Sequence, residues 1–431
     1  MAENSLVPVL SKEGFQLLES LGTLGSYTPA LADQLSAGLR KRSVAPELVA
    51  AILTQLELRE AARVKFGDFA QGMLFTRDGL EQATRLPVAA VHAGRFRDAG
   101  CHKVADLGCG LGTESLALAG LGLLVTAFEL DEATAAAALM NLRAYPEARV
   151  TQADILELDW EQLRAEGVDG AFADPARRDS SGRRLQPESW KPPLSRILAW
   201  RDQIPHGNLG IKIAPGINYQ ALPAQCETQW ISVGGELVEA GIWLGDLIRQ
   251  KGRSALLMDK HGKIVTALHD ETAAPCNTPA ELSETIATED ELGEWIFEPD
   301  DAIIRAGLLA QVADKTYTKT VSEKIAYLTR YSAPEVADTK LGGWFKVLEV
   351  LPLDEKKIRA GLKVRPIRSL EIKKRGADVS PAQLRRKLLG KPAKDGEDLT
   401  LIVTRLGSRH RAILCRRWAE IFRCREKPTK M

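Results

Sequence analysis

Two short stretches of this 431-residue chain combine residue types that can do chemistry. In "FADPARRDSSGRR", Asp174 ends an apolar run and Pro175 follows. Four arginines (Arg177, Arg178, Arg183 and Arg184) then come within nine residues. A carboxylate at a strand end can accept a hydrogen bond from an amine, and guanidinium groups beside it can clamp a phosphate. Arginines in a polar Ser-Ser-Gly loop can equally be solvated surface. In "VADLGCGLGTES", Gly108, Gly110 and Gly112 form G-x-G-x-G between an apolar run and a helical one. Without Cβ atoms, such a turn bends tightly and lets the backbone approach a ligand.

Carboxylates recur where neighbouring runs end. Asp106 precedes the first glycine by two, "FELD" closes the next run with Glu129 and Asp131, and "TQAD" closes the third with Asp154. Glu129 stands where a carboxylate can take both hydroxyls of a ribose, and Asp154 suits an adenine amino group. The helix that follows is alanine-rich and offers no arginine for a 2′-phosphate. The candidate cofactor residues are therefore Asp106, Gly108, Gly110, Gly112, Glu129, Asp131 and Asp154. The candidate catalytic residues are Asp174, Pro175 and Arg177. A dinucleotide-binding dehydrogenase places glycines in the same way, so the turn alone does not separate the two.

These groups need elements to hold them. Up to about residue 95 the chain reads as helices: "KEGFQLLESL", "TPALADQLSAGLRKR" and "APELVAAILTQLELREAARVKF" repeat apolar residues at three and four spacing. Ser11 and Thr28 suit N-caps, and Pro29 and Pro46 suit first turns. From about 102, short apolar strands alternate with helices, which predicts a doubly wound, mainly parallel sheet. "LLMDKHGKIVTAL" predicts a hairpin, and polar residues 270 to about 290 predict a linker. The last part reads strand–helix–strand–helix–strand–strand, a small α+β domain.

Composition is that of an ordinary globular chain, but the charge is uneven. From Lys340 onward, 25 lysines and arginines stand against 10 acidic residues. With +1 overall, that tail carries +15 and residues 1 to 339 carry −14. Such a tail suits an anionic partner or a merely solvated surface. The six cysteines include no C-x-x-C pair, so no metal site is expected and buried thiols of a reducing cytosol are. No apolar stretch is long enough for a bilayer and the first residues show no leader, so the expected location is cytoplasmic.

The glycine turn and its acidic strand ends resemble the class I S-adenosylmethionine-dependent methyltransferases over about residues 100 to 258. "DPAR" resembles two of their subgroups. N-methyltransferases of planar amines carry Asp/Asn-Pro-Pro-aromatic, in which the acidic or amide side chain aims the target nitrogen; here Ala176 and Arg177 replace the last two residues. The 5-methyluridine RNA methyltransferases carry a similar motif plus a nucleophilic cysteine in an "SCNP"-like segment, and Cys226 lies outside any such segment. Cys109, inside the turn, reads as a space-filler. "GMLFTRDGLEQATRLPVAAVHAGRF" is similar to the segment preceding the fold in cap guanine-N2 methyltransferases, which implies contacts from Phe75, Thr76 and Gln82; a helix packed on the sheet is the alternative. The tail resembles a THUMP-like domain over roughly 340 to 424.

Together these resemblances imply a Rossmann-like class I methyltransferase sheet within four segments. They are an N-terminal helical domain (1–95), the methyltransferase domain (96–270), a linker and accessory segment (271–339) and a basic α+β THUMP-like domain (340–431). They imply S-adenosyl-L-methionine as cofactor, RNA as partner through 340–431, and methylation of a base at nitrogen rather than carbon. The alternatives are a small-molecule or protein methyltransferase and a non-catalytic RNA-binding protein.

Overall fold

The computed structural model describes residues 6–21, 27–176, 178–179, 182–183, 186–272, 274–280, 284–390 and 392–418. The chain forms two compact units. One comprises Met1–Thr228, Glu239–Gly252 and Ala274–Cys276; the other comprises Gln229–Val238, Arg253–Ala273 and Asn277–Met431.

The first unit begins with helices α1 (Val7–Leu10), α2 (Lys12–Leu21), α3 (Pro29–Lys41), α4 (Pro46–Phe66), α5 (Arg77–Gln82) and α6 (Leu86–Asp98). The side chain of Thr28 accepts from Leu31 N and that of Ser11 from Gly14 N, so both caps form where the sequence places them. Alternation then sets in: β1 (Lys103–Leu107), α7 (Thr113–Gly120), β2 (Leu124–Glu129), α8 (Glu132–Asn141), β3 (Arg149–Gln152), α9 (Trp160–Ala165) and β4 (Gly170–Ala173). A two-residue ribbon, β5 (Arg178–Asp179) and β6 (Gly182–Arg183), precedes α10 (Leu194–Ala199) and β7 (Leu209–Ile213).

Strands β8 (Glu227–Val233) and β9 (Glu236–Trp243) each belong partly to both units. Gly234 and Gly235, both at positive φ, turn the run "TQWISVGGELVE" into two strands. In the first unit the sheet runs β3-β2-β1-β4-β7-β9, parallel through β7 and antiparallel at β9. Strand order reverses between β1 and β4, and ligands of open α/β sheets bind at the carboxyl ends beside that switch.

The helices read as a separate domain over 1–95 share one hydrophobic core with this sheet. Ile52, Phe66, Phe75, Ala89 and Phe96 pack in the same cluster as Val104, Phe172 and Trp243. Their apolar stripes find cover against the sheet, so residue 95 is no packing boundary.

In the second unit β10 (Gly252–Met258) and β11 (Ile264–Asp270) form the expected hairpin. They are followed by β12 (Trp295–Pro299), α11 (Asp301–Arg305), α12 (Leu309–Thr316), β13 (Lys319–Thr320) and β14 (Leu328–Arg330). Next come β15 (Gly342–Pro352), α13 (Glu355–Lys363), β16 (Ile367–Lys374), α14 (Pro381–Leu388), β17 (Glu397–Leu406) and β18 (Arg409–Arg417). The order β13-β14-β12-β15-β18-β17-β16 makes one seven-stranded sheet. The segment expected as linker and accessory, 271–339, thus supplies three of its strands, because β12 pairs antiparallel with β15 along Trp295–Pro299.

Beneath the first sheet lies buried charge. His92 on α6 places Nδ1 3.2 Å from Glu114 Oε1 and Nε2 3.0 Å from Glu239 Oε1, all three side chains being buried. The ring stacks on Phe172 and packs against Trp243. Burial alone would push the imidazole down; Glu114 and Glu239 outweigh it and hold it up at about 9, from the usual 6.5. A folded value raised this way stabilises fully below pH 6.5, and the contribution is lost as pH rises through about 9. Asp106, pushed up to about 7 by burial, acts lower, between its usual 3.8 and 7. Urea unfolding of the protein should therefore show a midpoint that falls between pH 6.5 and 9, and His92→Gln should flatten that fall. An unchanged pH profile in the variant would remove the assignment.

Candidate active site

The glycine turn sits at the end of β1 and is fixed from three sides. Asp106 Oδ2 accepts from Ser115 N at 3.0 Å and from Ser115 Oγ at 2.6 Å, tying the strand to the first turn of α7. Gly108 N and Cys109 N both donate to Phe128 O of β2. Asn141, buried on α8, donates to the carbonyls of Leu111 and Leu74 and accepts from Leu74 N. Gly108 has φ +81°, and a Cβ there would stand 3.2 Å from the carbonyl oxygen of Asp174. Glycine is required there both by the left-handed backbone and by this approach.

Glu129, half-buried at the end of β2, accepts from Gly110 N at 2.9 Å and from Asp131 N at 3.0 Å. The candidate ribose ligand thus also holds the glycine turn. Asp131 is the N-cap of α8, accepting from Thr134 N and Oγ1. Asp154, exposed beyond β3, accepts from Leu156 N. All of the sequence-predicted carboxylates lie at carboxyl ends of adjacent strands, but Asp106 and Asp131 are turned to helix starts.

Asp174 follows β4, its N–H donating to Leu107 O. Its Oδ2 lies 2.8 Å from Nζ of Lys212, whose side chain is 5% exposed. Lys212 also donates to Gln82 O, so the segment before the sheet approaches Asp174. Sequence reading missed Lys212, although a lysine within the buried strand "LGIKI" is itself a signal, since so apolar a strand accepts a charge only with a partner. Asn141 gave no such signal. Of the residues expected in the preceding segment, Phe75 is buried against Phe66 with its backbone held by Gln55, and Thr76 caps α5. Lys65 on α4 donates to the carbonyls of Leu80, Glu81 and Ala83 at the end of α5, and burial, with Lys212 nearby, brings it down to about 8.

Arg177 and Arg184 lie outside the described residues; the backbone of Arg178 pairs with that of Arg183. The Cys226 thiol is buried, donates to Pro223 O and is pushed up to about 12 by burial, while burial also raises Cys109. Neither thiol presents a thiolate near neutral pH.

The chain is 31% identical over 362 residues to an uncharacterized S-adenosylmethionine-dependent methyltransferase of Mycobacterium tuberculosis strain CDC 1551, covering 81% of this chain and 91% of that protein. The same figures hold for the protein of strain H37Rv. The chain belongs to the S-adenosylmethionine-dependent methyltransferases. Its cofactor is S-adenosyl-L-methionine. Residues 342–417 match the THUMP domain-like family, and residues 4–62 match a domain of unknown function. A crystal structure of a Porphyromonas gingivalis W83 protein assigned to the methyltransferases shares the fold, at 20% identity and a TM-score of 0.65, covering 95% of this chain and 99% of that one. This methyltransferase is therefore a class I enzyme with a C-terminal THUMP-like domain. Among its described residues no helix is long and apolar enough to cross a membrane.

The Lys212–Asp174 pair makes the site sensitive to how Asp174 is changed. Asp174→Ala should lower unfolding stability by about 1–3 kcal/mol, because it takes the carboxylate partner from a buried ammonium. Asp174→Asn keeps an acceptor for Lys212 and should cost less. Thermal midpoints equal to that of the unsubstituted protein in both variants would show that the pair contributes nothing to stability.

Proposed function

We propose that this methyltransferase modifies a base in RNA, at a nitrogen, with Asp174 orienting the acceptor. The observation that carries this reading is the position of Asp174. It follows β4 at the switch point, its carbonyl oxygen 3.2 Å from where a Cβ on Gly108 would stand, and Lys212 pairs with its side chain. When bound, the cofactor supplies an electrophilic methyl group on a sulfonium. The residues present suit it: carboxylates line the strand ends and no basic side chain stands in the glycine turn. Glu129 is the proposed ribose contact and Asp154 the adenine contact, while Asp106 and Asp131 position the loops that carry them.

A neutral exocyclic amine needs no strong base before it attacks, since its proton becomes acidic only as the new bond forms. It needs an acceptor that aims the lone pair, and Asp174 offers one. Pro175 restricts φ near −65° and sets the direction of the chain leaving the site. Arg177, by its type and place in the sequence, is proposed as a phosphate contact beside the target base. Methylation at carbon would need a nucleophile such as a thiolate, and Cys226 is held as a thiol. The +15 tail and its match to the THUMP-like family support RNA as the partner. The buried free cysteines fit a reducing cytosol.

Two outcomes are expected. Glu129→Ala should weaken S-adenosylmethionine binding by roughly 1.5–3 kcal/mol in calorimetry, and undiminished affinity in a folded variant would sink its role. Asp174→Asn should keep cofactor affinity and retain more turnover than Asp174→Ala, which should fall by ~100-fold or more. Mass spectrometry of nucleosides from deletion-strain RNA then names the product. Loss of no RNA modification would favour a small-molecule or protein substrate.

A further inference from the structure

The second unit separates its positive charge into two kinds. On the strands and at their ends many of the basic side chains are paired. Arg368 meets Asp398, Arg375 meets Asp301, Arg411 meets Glu289, Arg416 meets Glu397, Arg417 meets Glu371, and Lys373 meets Glu298. Each of these pairs sets an acidic group against a basic one of the sheet.

The sheet is also covered on both faces. Leu399, Leu401, Val403, Ala412 and Leu414 point to one core, completed by Ile358 and Leu362 of α13 and Leu384 and Leu388 of α14. The alternate residues Ile402, Leu406, Ile413 and Cys415 point to the other, completed by Ile286, Val321, Ile325 and Tyr327. Strand residues alternate faces in this way, so neither face is left open over these positions.

The outer side of α13 and α14 differs. Their apolar residues are used inward, and the two helices are tied side by side: Arg359 donates to Lys387 O at 2.8 Å, and Lys387 pairs with Glu355 at 2.6 Å. Lys356, Arg359 and Lys363 are exposed at spacings of three and four, one stripe along α13. Arg385 and Arg386 are exposed at the end of α14. Lys356, Lys363, Arg385 and Arg386 have no acidic partner among the described residues. Neither α13 nor α14 contains an aromatic residue on which a base could stack. With no aromatic residue to stack a base, a surface of this composition suits phosphates.

Resting on the RNA reading above, we propose that the outer face of α13 and α14 docks on the phosphate backbone of folded, helical RNA. Lys356, Lys363, Arg385 and Arg386 make the contacts, and Arg359 holds the two helices in register. The substrate is then a structured RNA held by its backbone, and the sheet arginines take no direct part.

The test uses the full-length chain and two probes, an RNA hairpin of about two helical turns and single-stranded poly(A) of equal length. Lys356→Glu with Lys363→Glu, and Arg385→Glu with Arg386→Glu, should each weaken hairpin binding about tenfold or more and flatten its salt dependence. Lys41→Glu with Arg42→Glu, an equal charge reversal at the exposed end of α3, should leave both unchanged, and thermal melts show that all variants fold. Hairpin binding that survives the helix reversals, or a preference for poly(A), overturns the inference and leaves the RNA reading standing. A wild-type protein that binds neither probe overturns both.

Discussion

The carboxylate of Asp106 holds the glycine turn of the first unit in shape. It is buried at the end of the central strand and takes both the backbone N–H and the hydroxyl of Ser115. A strand end and a helix start are thereby fastened across nine residues, and the glycine turn between them has its two ends fixed. Gly110 can then offer its N–H to Glu129, and Gly108 can pass close to Asp174. With only one of its oxygens engaged by a protein partner, Asp106 carries the burial cost that pushes it up to about 7. A rigid loop is what that cost sustains.

Around this point, charge is arranged in depth. Lys212, itself buried, pairs with the half-buried Asp174 at the sheet's carboxyl edge, and His92, Glu114 and Glu239 form a second buried group. Arg95 and Glu227 form a two-pronged pair at 2.8 Å, with the guanidinium over Trp243. Buried ions are tolerated because each meets an opposite charge within hydrogen-bond reach. The N-terminal helices take part in this arrangement, since α6 carries both His92 and Arg95. They are an integral wall of the fold.

What the sequence disclosed followed from local rules. The alternation of strands and helices, the capping residues Ser11 and Thr28, and the glycine turn with its acidic strand ends are all short-range signals, and the S-adenosylmethionine-dependent methyltransferase fold shows each in place. Side-chain pairing across the chain was not readable in the same way. Asn141 meets Leu74 across 67 residues and Arg95 meets Glu227 across 132, and nothing at either position marks its partner. That the sheet crosses the expected division at residue 340 was hidden for a similar reason: β12 looks like an isolated strand until β15 arrives beside it. The doubled strand at Gly234-Gly235 was hidden by the apolar run on both sides of the turn.

If Glu129 takes the ribose as proposed, its bonds set what kind of binding follows. Its two oxygens already accept from Gly110 and Asp131, so the carboxylate is neither solvated freely nor waiting to reorient. A diol arriving there would add to an oriented acceptor through the remaining lone pairs, and little ordering of side chain or loop would be left to do. The same two backbone bonds oblige the turn to feel the state of that carboxylate. On the proposed role, recognition and loop shape are then one mechanical element, and a change that disturbed the turn would move the carboxylate with it.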